Sequence, residues 1–508
     1  MSKEHSGLSA ETSLYCVPEP TEALRNSNQE KAVSLLNRYF AGDAGAIAQF
    51  RRHHPLASNT DFKPELIDAR MLVSSEPMRI KKLSLEKLRK DAKKLLRQVK
   101  SSSPEVLKRI MQYHTKSPEQ YKLADAQLVI AKENGLASWA KLKAHIEQVD
   151  RALEFLGNNV FRPDEKLKTL HIRCGTDIQE SLKQCGFVGD YLEISNPFPQ
   201  GPVPHYEPLE YFVSTRTEFI RNNYQNDLPS DIAKERIENT EQEILHVERT
   251  LHNLTKNYQR IVLWFEHDPF DQLCKAYVFA HLSNLDLFDI TIECIQIDRF
   301  PGVKKFIGIG QLTQTPEVLL ALWPRRVEVT AAMLAYGARV WQGFVASDPI
   351  TLWQLTEEPQ VPLPHLQAAV RRMLMELPWR GNGLGLTEHL VLTILAEHGP
   401  LRPGAIFNLL MSELEPLPYL GDIMLLTGIR PLWQCKNAAI EIVDRYPDDN
   451  PMRRMRLSLT EFGKKLLSGE SNWLMINENY VRHLGGVVIR QGYRNWYWSG
   501  EHQQPVLK

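Results

Sequence analysis

Only six cysteines occur in 508 residues, and none belongs to a C-x-x-C pair or a close Cys/His cluster. That spacing excludes a disulfide scaffold and the usual zinc sites, and it suits a reducing cytoplasm. Cys16, Cys174, Cys185, Cys274, Cys294 and Cys435 read instead as small, mostly buried apolar side chains. An excess of one charge is also missing. Lys plus Arg number 61 and Asp plus Glu number 61, so a surface that grips nucleic acid as a whole is not expected. No run approaches the ~18 apolar residues of a membrane helix, and no signal peptide is expected at the start. Neither a G-x-G-x-x-G nor a P-loop is present, which leaves dinucleotide and ATP binding unsupported and the cofactor undefined.

What remains is an ordinary globular composition, 43% hydrophobic and 24% charged, over a length that suits about three domains. Residues 1–28 are polar and aperiodic and read as a disordered tail. Residues 29–150 read as two diverged copies of a helical unit. Leu35 and Leu36 correspond to Leu95 and Leu96, Ile47 to Leu107, His54 to His114, and Asp68–Ala69 to Asp125–Ala126. Stacked copies would bury a shared apolar face. The basic stretch Arg79–Lys100 carries leucines near helical spacing, so its lysines are expected on a solvated face.

Residues 165–315 read as an α/β domain with a Rossmann-like, mostly parallel sheet, because short apolar strands alternate with helical runs. Strands are expected at 167–173, 189–194, 260–265 and 290–297. Three of them end in polar or small residues: Gly175, Thr176 and Asp177; then Asn196; then Glu266, His267 and Asp268. Ligands bind such sheets beyond the carboxyl ends of the strands, so these residues form the candidate site. Gly175, Thr176, Asp177 and Asn196 are the candidate ligand-binding residues, the Gly-Thr-Asp turn offering backbone N–H groups to an anion. Glu266, His267 and Asp268 are the candidate catalytic set. Flanking acids orient a histidine and raise its pKa, which suits acid/base work near neutrality. No metal is assigned, since one histidine and two acids do not define a site. The plainer alternative makes Asp268 the cap of the following helix and His267 a hydrogen-bonded loop residue. His171, inside the first strand, reads as a satisfied core histidine.

Residues 316–380 read as a helical connector and 381–500 as a winged-helix-like domain. Thr387 is expected to cap one helix and Thr460 another, and Gly485–Ile489 to form the closing strand. The expected recognition helix, Gly421–Leu432, carries only Arg430 as a base, which favours packing or protein contact over DNA.

The stretch LADAQLVIAKENGLASWAKLKAHIE resembles helical segments found ahead of ankyrin arrays. LHIRCGTD, SNPFPQGPVP, LWFEHDPFDQL, RRVEVTAAMLAYGARVWQGFVASDP and LSLTEFGKKLLSGE resemble the bacterial domain-of-unknown-function 1835 family, over about residues 165–498. Relatives there more often carry Asn-Gly-Asp at the first turn and an Asp where this chain has Asn196. The resemblance implies an architecture and brings no activity with it.

Two functions are consistent with these residues. One is a cytoplasmic small-ligand-binding α/β protein, a hydrolase or group transferase on a polar or phosphorylated metabolite. The other is a non-enzymatic regulator or scaffold, with protein partners on residues 29–150 or on the winged-helix-like end, and DNA a weaker alternative.

Overall fold

The computed structural model describes residues 22–54, 62–101, 104–113, 117–157, 162–225, 230–313, 315–448 and 450–508. The chain is a mixed α/β protein built around a five-stranded, mostly parallel sheet. Its strands are β1 (Thr169–Arg173), β2 (Asp190–Glu193), β4 (Arg260–Glu266), β5 (Thr291–Ile297) and β6 (Val327–Glu328), in the order β2-β1-β4-β5-β6. All four strands expected from the sequence are present. β1 and β4 are buried almost throughout, which is why they read as apolar runs without alternation. Only the short edge strand β6 runs antiparallel, against β5.

The strand order determines where a site can lie. From β1 the chain passes to β2 on one flank, then returns through the helices Leu209–Tyr224 and Ser230–His252 to β4 on the other flank. The order therefore reverses between β1 and β4. A crevice lies there, beyond the carboxyl ends of the paired strands.

Each N-terminal copy is a set of three helices, Glu22–Phe40, Ala44–His53 and Leu66–Ser75, then Leu85–Lys100, Pro104–Met111 and Leu123–Glu133. The equivalence extends to a cap. Asp68 accepts from the Glu65 N–H at 2.7 Å and Asp125 from the Lys122 N–H at 2.8 Å. The expected shared apolar face is not found. Ala32, Leu35, Phe50 and Leu72 close one cluster, and Leu88, Leu95, Val99 and Ile130 close another. Each copy buries its own face and docks on the rest of the chain. Arg70 and Ser74 of the first copy donate to Glu413, and His145, in the helix Trp139–Gly157 after the second, accepts from Arg325 at 2.8 Å. Lys87, Lys90, Lys93 and Lys94 are exposed, as expected of the solvated face. Helix begins at Glu22, inside the stretch expected to be a tail. The rest of that tail, Cys16 and His114 lie outside the described residues.

In the C-terminal third, helices Leu386–His398, Pro403–Leu409 and Asp422–Ile429 precede a hairpin of β7 (Ile440–Arg445) and β8 (Met455–Leu459). Thr460 caps the next helix, accepting from Gly463 N–H at 3.0 Å. Two expectations need correction. Thr387 is not a cap: Gly385 occupies that position, bonded to the Glu388 carboxylate, while the Thr387 hydroxyl donates to Glu376. Gly485–Ile489 is not one closing strand. It breaks at Gly485–Gly486 into β9 (Val481–Gly485) and β10 (Val487–Arg490), and β9 pairs with β3 (Gly201–Pro202) beside the central sheet. A Cβ on Gly486 would collide with the Val345 carbonyl, so the close approach requires glycine. The chain ends in a hairpin of β11 (Trp496–Ser499) and β12 (Gln504–Leu507). Among the described residues, no helix is long and apolar enough to cross a membrane.

Burial, with Arg325 alongside, pushes His145 down to about 4, and burial pushes His281 and His389 to about the same value. Unfolded histidines bind protons below about pH 6.5, whereas these three stay neutral in the fold, so stability falls as pH drops through that window. For His145 alone the loss is about 2 kcal/mol near pH 5. His145→Gln should therefore shrink the difference in unfolding free energy between about pH 7 and pH 5, measured by denaturant titration, by about that amount. An unchanged difference would contradict a neutral, docked His145.

Candidate functional site

Most residues at the carboxyl ends of β1 and β4 face the crevice or support it. Arg173 ends β1 and is only 2% exposed. A buried guanidinium has to be neutralised, and three carboxylates surround it. Asp177, in the turn after β1, accepts from Arg173 Nε at 3.1 Å and Nη2 at 3.0 Å. Glu266, the last residue of β4, accepts from Nη2 at 3.0 Å. Asp271, in the first turn of helix Pro269–Leu282, accepts from Nη1. Burial works against the charge on Arg173, but Asp271, Glu266 and Asp177 outweigh it and keep the group firmly cationic.

Asp268 completes the group. Its Oδ1 accepts from the N–H groups of Phe270 at 2.8 Å and Asp271 at 3.1 Å, so it is the helix cap. It also lines the crevice. Burial, and then the charge of Glu266, push its carboxyl well above the ordinary range. Donor atoms of Glu266, Asp268 and Asp271 lie within 4.8 Å of one another, a spacing that suits a metal ion. One histidine and two acids do not define a metal site from the sequence; Asp271 supplies the third acid here.

The crevice opens into a cavity of about 560 Å³. Cys174, Gly175 and Asp177 line it from β1, Glu193, Ser195 and Asn196 from β2, and Glu266, Asp268 and Asp271 from β4. A loop at Gly308 and Gly310 crosses the acids closely enough that a Cβ on Gly310 would collide with Asp177. The far wall is contributed by Phe407, Met411, Tyr419, Leu420, Ile423 and Met424 of the C-terminal third. That wall is anchored from behind. Glu415 accepts twice from Arg372, at 2.7 Å each, just before the segment that carries Tyr419 and Leu420.

The structure brings together five of the seven residues singled out from the sequence: Gly175, Asp177, Asn196, Glu266 and Asp268. Thr176 lines a neighbouring cleft with Gln179 and Tyr191. His267 is not among the residues lining the cavity. Its ring stacks on Phe306 with centroids 5.8 Å apart and meets His365 edge-on, and Nδ1 is buried with no hydrogen-bond partner among the described residues. The expected rise in its pKa is reversed, since burial outweighs Glu266 and Asp298 and lowers it. The anion-binding turn also loses its basis, because the helix that follows is only six residues long and Asp177 is committed to Arg173. Asn196 uses its carbonyl to accept from Arg216 at 2.8 Å. Arg216 also donates to the Pro197, Gln200 and Pro202 carbonyls. With no carboxylate in contact among the described residues, burial pushes Arg216 down to about 9. His171 is the satisfied core histidine, 2.9 Å from Asp164 and accepting from Trp264 at 3.1 Å.

Arg173 and Asp271 were missed. A charged residue at the buried end of an apolar strand, directly before an acid-bearing turn, was the available signal for Arg173. Cys174 lines the cavity, but burial, with Cys274 beside it, raises its pKa well above the ordinary value, so it is a thiol and not a ready nucleophile.

Two predictions follow from the charges. Arg173→Met leaves buried carboxylates without their cation and should cost about 3–5 kcal/mol in unfolding free energy; a loss under ~1 kcal/mol would contradict the neutralising role. Asp268→Asn keeps the capping oxygen and removes a carboxyl whose charge the fold disfavours. That destabilisation appears as pH rises from the unfolded value of about 4 towards the raised folded value. Asn should therefore raise Tm at neutral pH and show no gain near pH 3; an equal shift at both would show that charge is not the cause.

No family model matches the chain, and no curated protein or solved structure matches it.

Proposed function

We propose that this is a cytoplasmic small-ligand-binding α/β protein whose site is the cavity between β1 and β4. The observation that carries this reading is convergence. Residues following three parallel strands, and a wall from a part of the chain more than a hundred residues away, enclose one space at the point where strand order reverses. A charged core of one arginine and four acids at that point serves packing poorly, since apolar side chains of similar volume would be at least as stable. Its retention is understood if it meets a ligand.

The proposal includes a Rossmann-like centre, a winged-helix-like domain over residues 381–500, and membership of the domain-of-unknown-function 1835 family, whose motifs the chain resembles. Acid/base groups lining the cavity suit hydrolysis or group transfer. The regulator reading gains one observation: Tyr419 and Leu420 of the C-terminal third touch the same cavity as the strand ends, so ligand occupancy and the placement of that third are linked. DNA contact by helix Asp422–Ile429 is disfavoured, because Met424, Leu425, Leu426 and Ile429 are buried.

Thermal-shift screening of the intact protein against amines, nucleotides, sugar phosphates and divalent cations tests the site. A ligand at ~100 times its Kd should stabilise the fold by about 2.7 kcal/mol. Ile423→Trp, which fills the cavity from the half-buried wall, should abolish the shift. A shift retained in that variant would put the ligand elsewhere.

A further inference from the structure

The cavity is one-sided in charge. Asp177, Glu193, Glu243, Glu266, Asp268 and Asp271 line it, and among the described residues no lysine, arginine or histidine does. Arg173 lies beneath these acids with its donors committed to Asp177, Glu266, Asp271 and the Trp264 carbonyl. Asp268 makes no ion pair with any described residue; its bonds are to backbone N–H groups. Facing the acids, the wall is apolar, with Ile244, Phe270, Met411, Leu420, Ile423 and Met424.

This lining discriminates among ligand classes. A phosphate or carboxylate would lose its hydration only to meet like charge. A divalent metal would draw on Glu266, Asp268 and Asp271, but Arg173 already stands between Glu266 and Asp271. Metal and guanidinium would compete for the same oxygens while repelling each other. An organic cation meets neither obstacle. Its charged end finds carboxylates that already accept N–H donors, and its apolar part covers surface that would otherwise hold poorly bonded water.

We propose that the ligand of this cavity is an organic cation, an amine or guanidine carried on an apolar body. A bound cation favours the ionised form of Asp268, which burial and Glu266 otherwise hold protonated, so Asp268 and the neighbouring acids hold the charge, and the wall at Met411, Leu420, Ile423 and Met424 holds the body. The inference rests on the cavity being a ligand site and names the class of that ligand. A phosphorylated metabolite, expected from the Gly-Thr-Asp turn, fits this lining less well.

The test is isothermal titration of the intact protein with hexylamine, 4-phenylbutylamine and tryptamine, each against the alcohol and carboxylate of the same body, and with Mg²⁺ and Mn²⁺ alone. At least one amine should bind at least tenfold more tightly than its alcohol, and its carboxylate should not bind. Asp268→Asn should weaken the amine at least fivefold without lowering Tm, and Ile423→Trp should abolish its binding. An alcohol or carboxylate that binds as tightly as the amine, and is lost in Ile423→Trp, would overturn the cationic class and leave the site standing. Amine binding untouched by Ile423→Trp would overturn both. Failure of all three amines overturns the cationic class, and Mg²⁺ or Mn²⁺ binding lost in Asp268→Asn would then assign the acids to a metal.

Discussion

The guanidinium of Arg173 is the constraint on which the centre of this molecule depends. A charge this deeply buried persists only if opposite charge comes to it, and its partners come from three places: the turn after β1, the end of β4 and the first turn of the next helix. Satisfying one side chain therefore brings Asp177, Glu266 and Asp271 into one crevice. The crevice lies where the sheet reverses its strand order, so neutralising Arg173 and assembling the site are the same event.

Two further buried arginines organise the remaining walls. Arg216 gathers the Asn196 side chain and the carbonyls of Pro197, Gln200 and Pro202, fixing the path of the loop after β2. Arg372 holds Glu415 and Glu376, and with Glu415 it holds the start of the segment that closes the cavity. The contrast between the two is physical. Arg372 has carboxylates and stays firmly charged, whereas Arg216 has only neutral acceptors among the described residues and its pKa is pushed down to about 9. Planar donors in a fixed fork suit both tasks, since each must hold several acceptors at once.

The helical copies at the N-terminus are tied to the body by polar contacts, Arg70 and Ser74 with Glu413 and His145 with Arg325, and by apolar ones, Ile67 and Met71 against the main core and Ala152 of the following helix in a second cluster. Most of their apolar side chains close one cluster within each copy. The first copy is joined to Glu413, two residues before the Glu415 anchor of the cavity wall, so its docking bears on the segment that covers the site.

What could be read from the sequence was local. Apolar runs mark β1 and β4 because a strand buried on both faces needs one, and the polar residues after β1, β2 and β4 mark strand ends that need somewhere to point. The capping of helix Pro269–Leu282 by Asp268 and of helix Glu461–Leu467 by Thr460 is likewise carried by neighbouring residues, as is the equivalence of Asp68 and Asp125. The tertiary structure alone decided which strand ends share a crevice, because Arg173 and Glu266 are 93 residues apart and no local pattern links them. It decided that His267 turns towards Phe306 while its neighbours Glu266 and Asp268 line the cavity. It decided that Gly485–Ile489 breaks at a corner to pair with β3, and that residues 407–424 become a wall. Each of these outcomes rests on burial and charge neutralisation between distant segments, which exist only once the chain has folded.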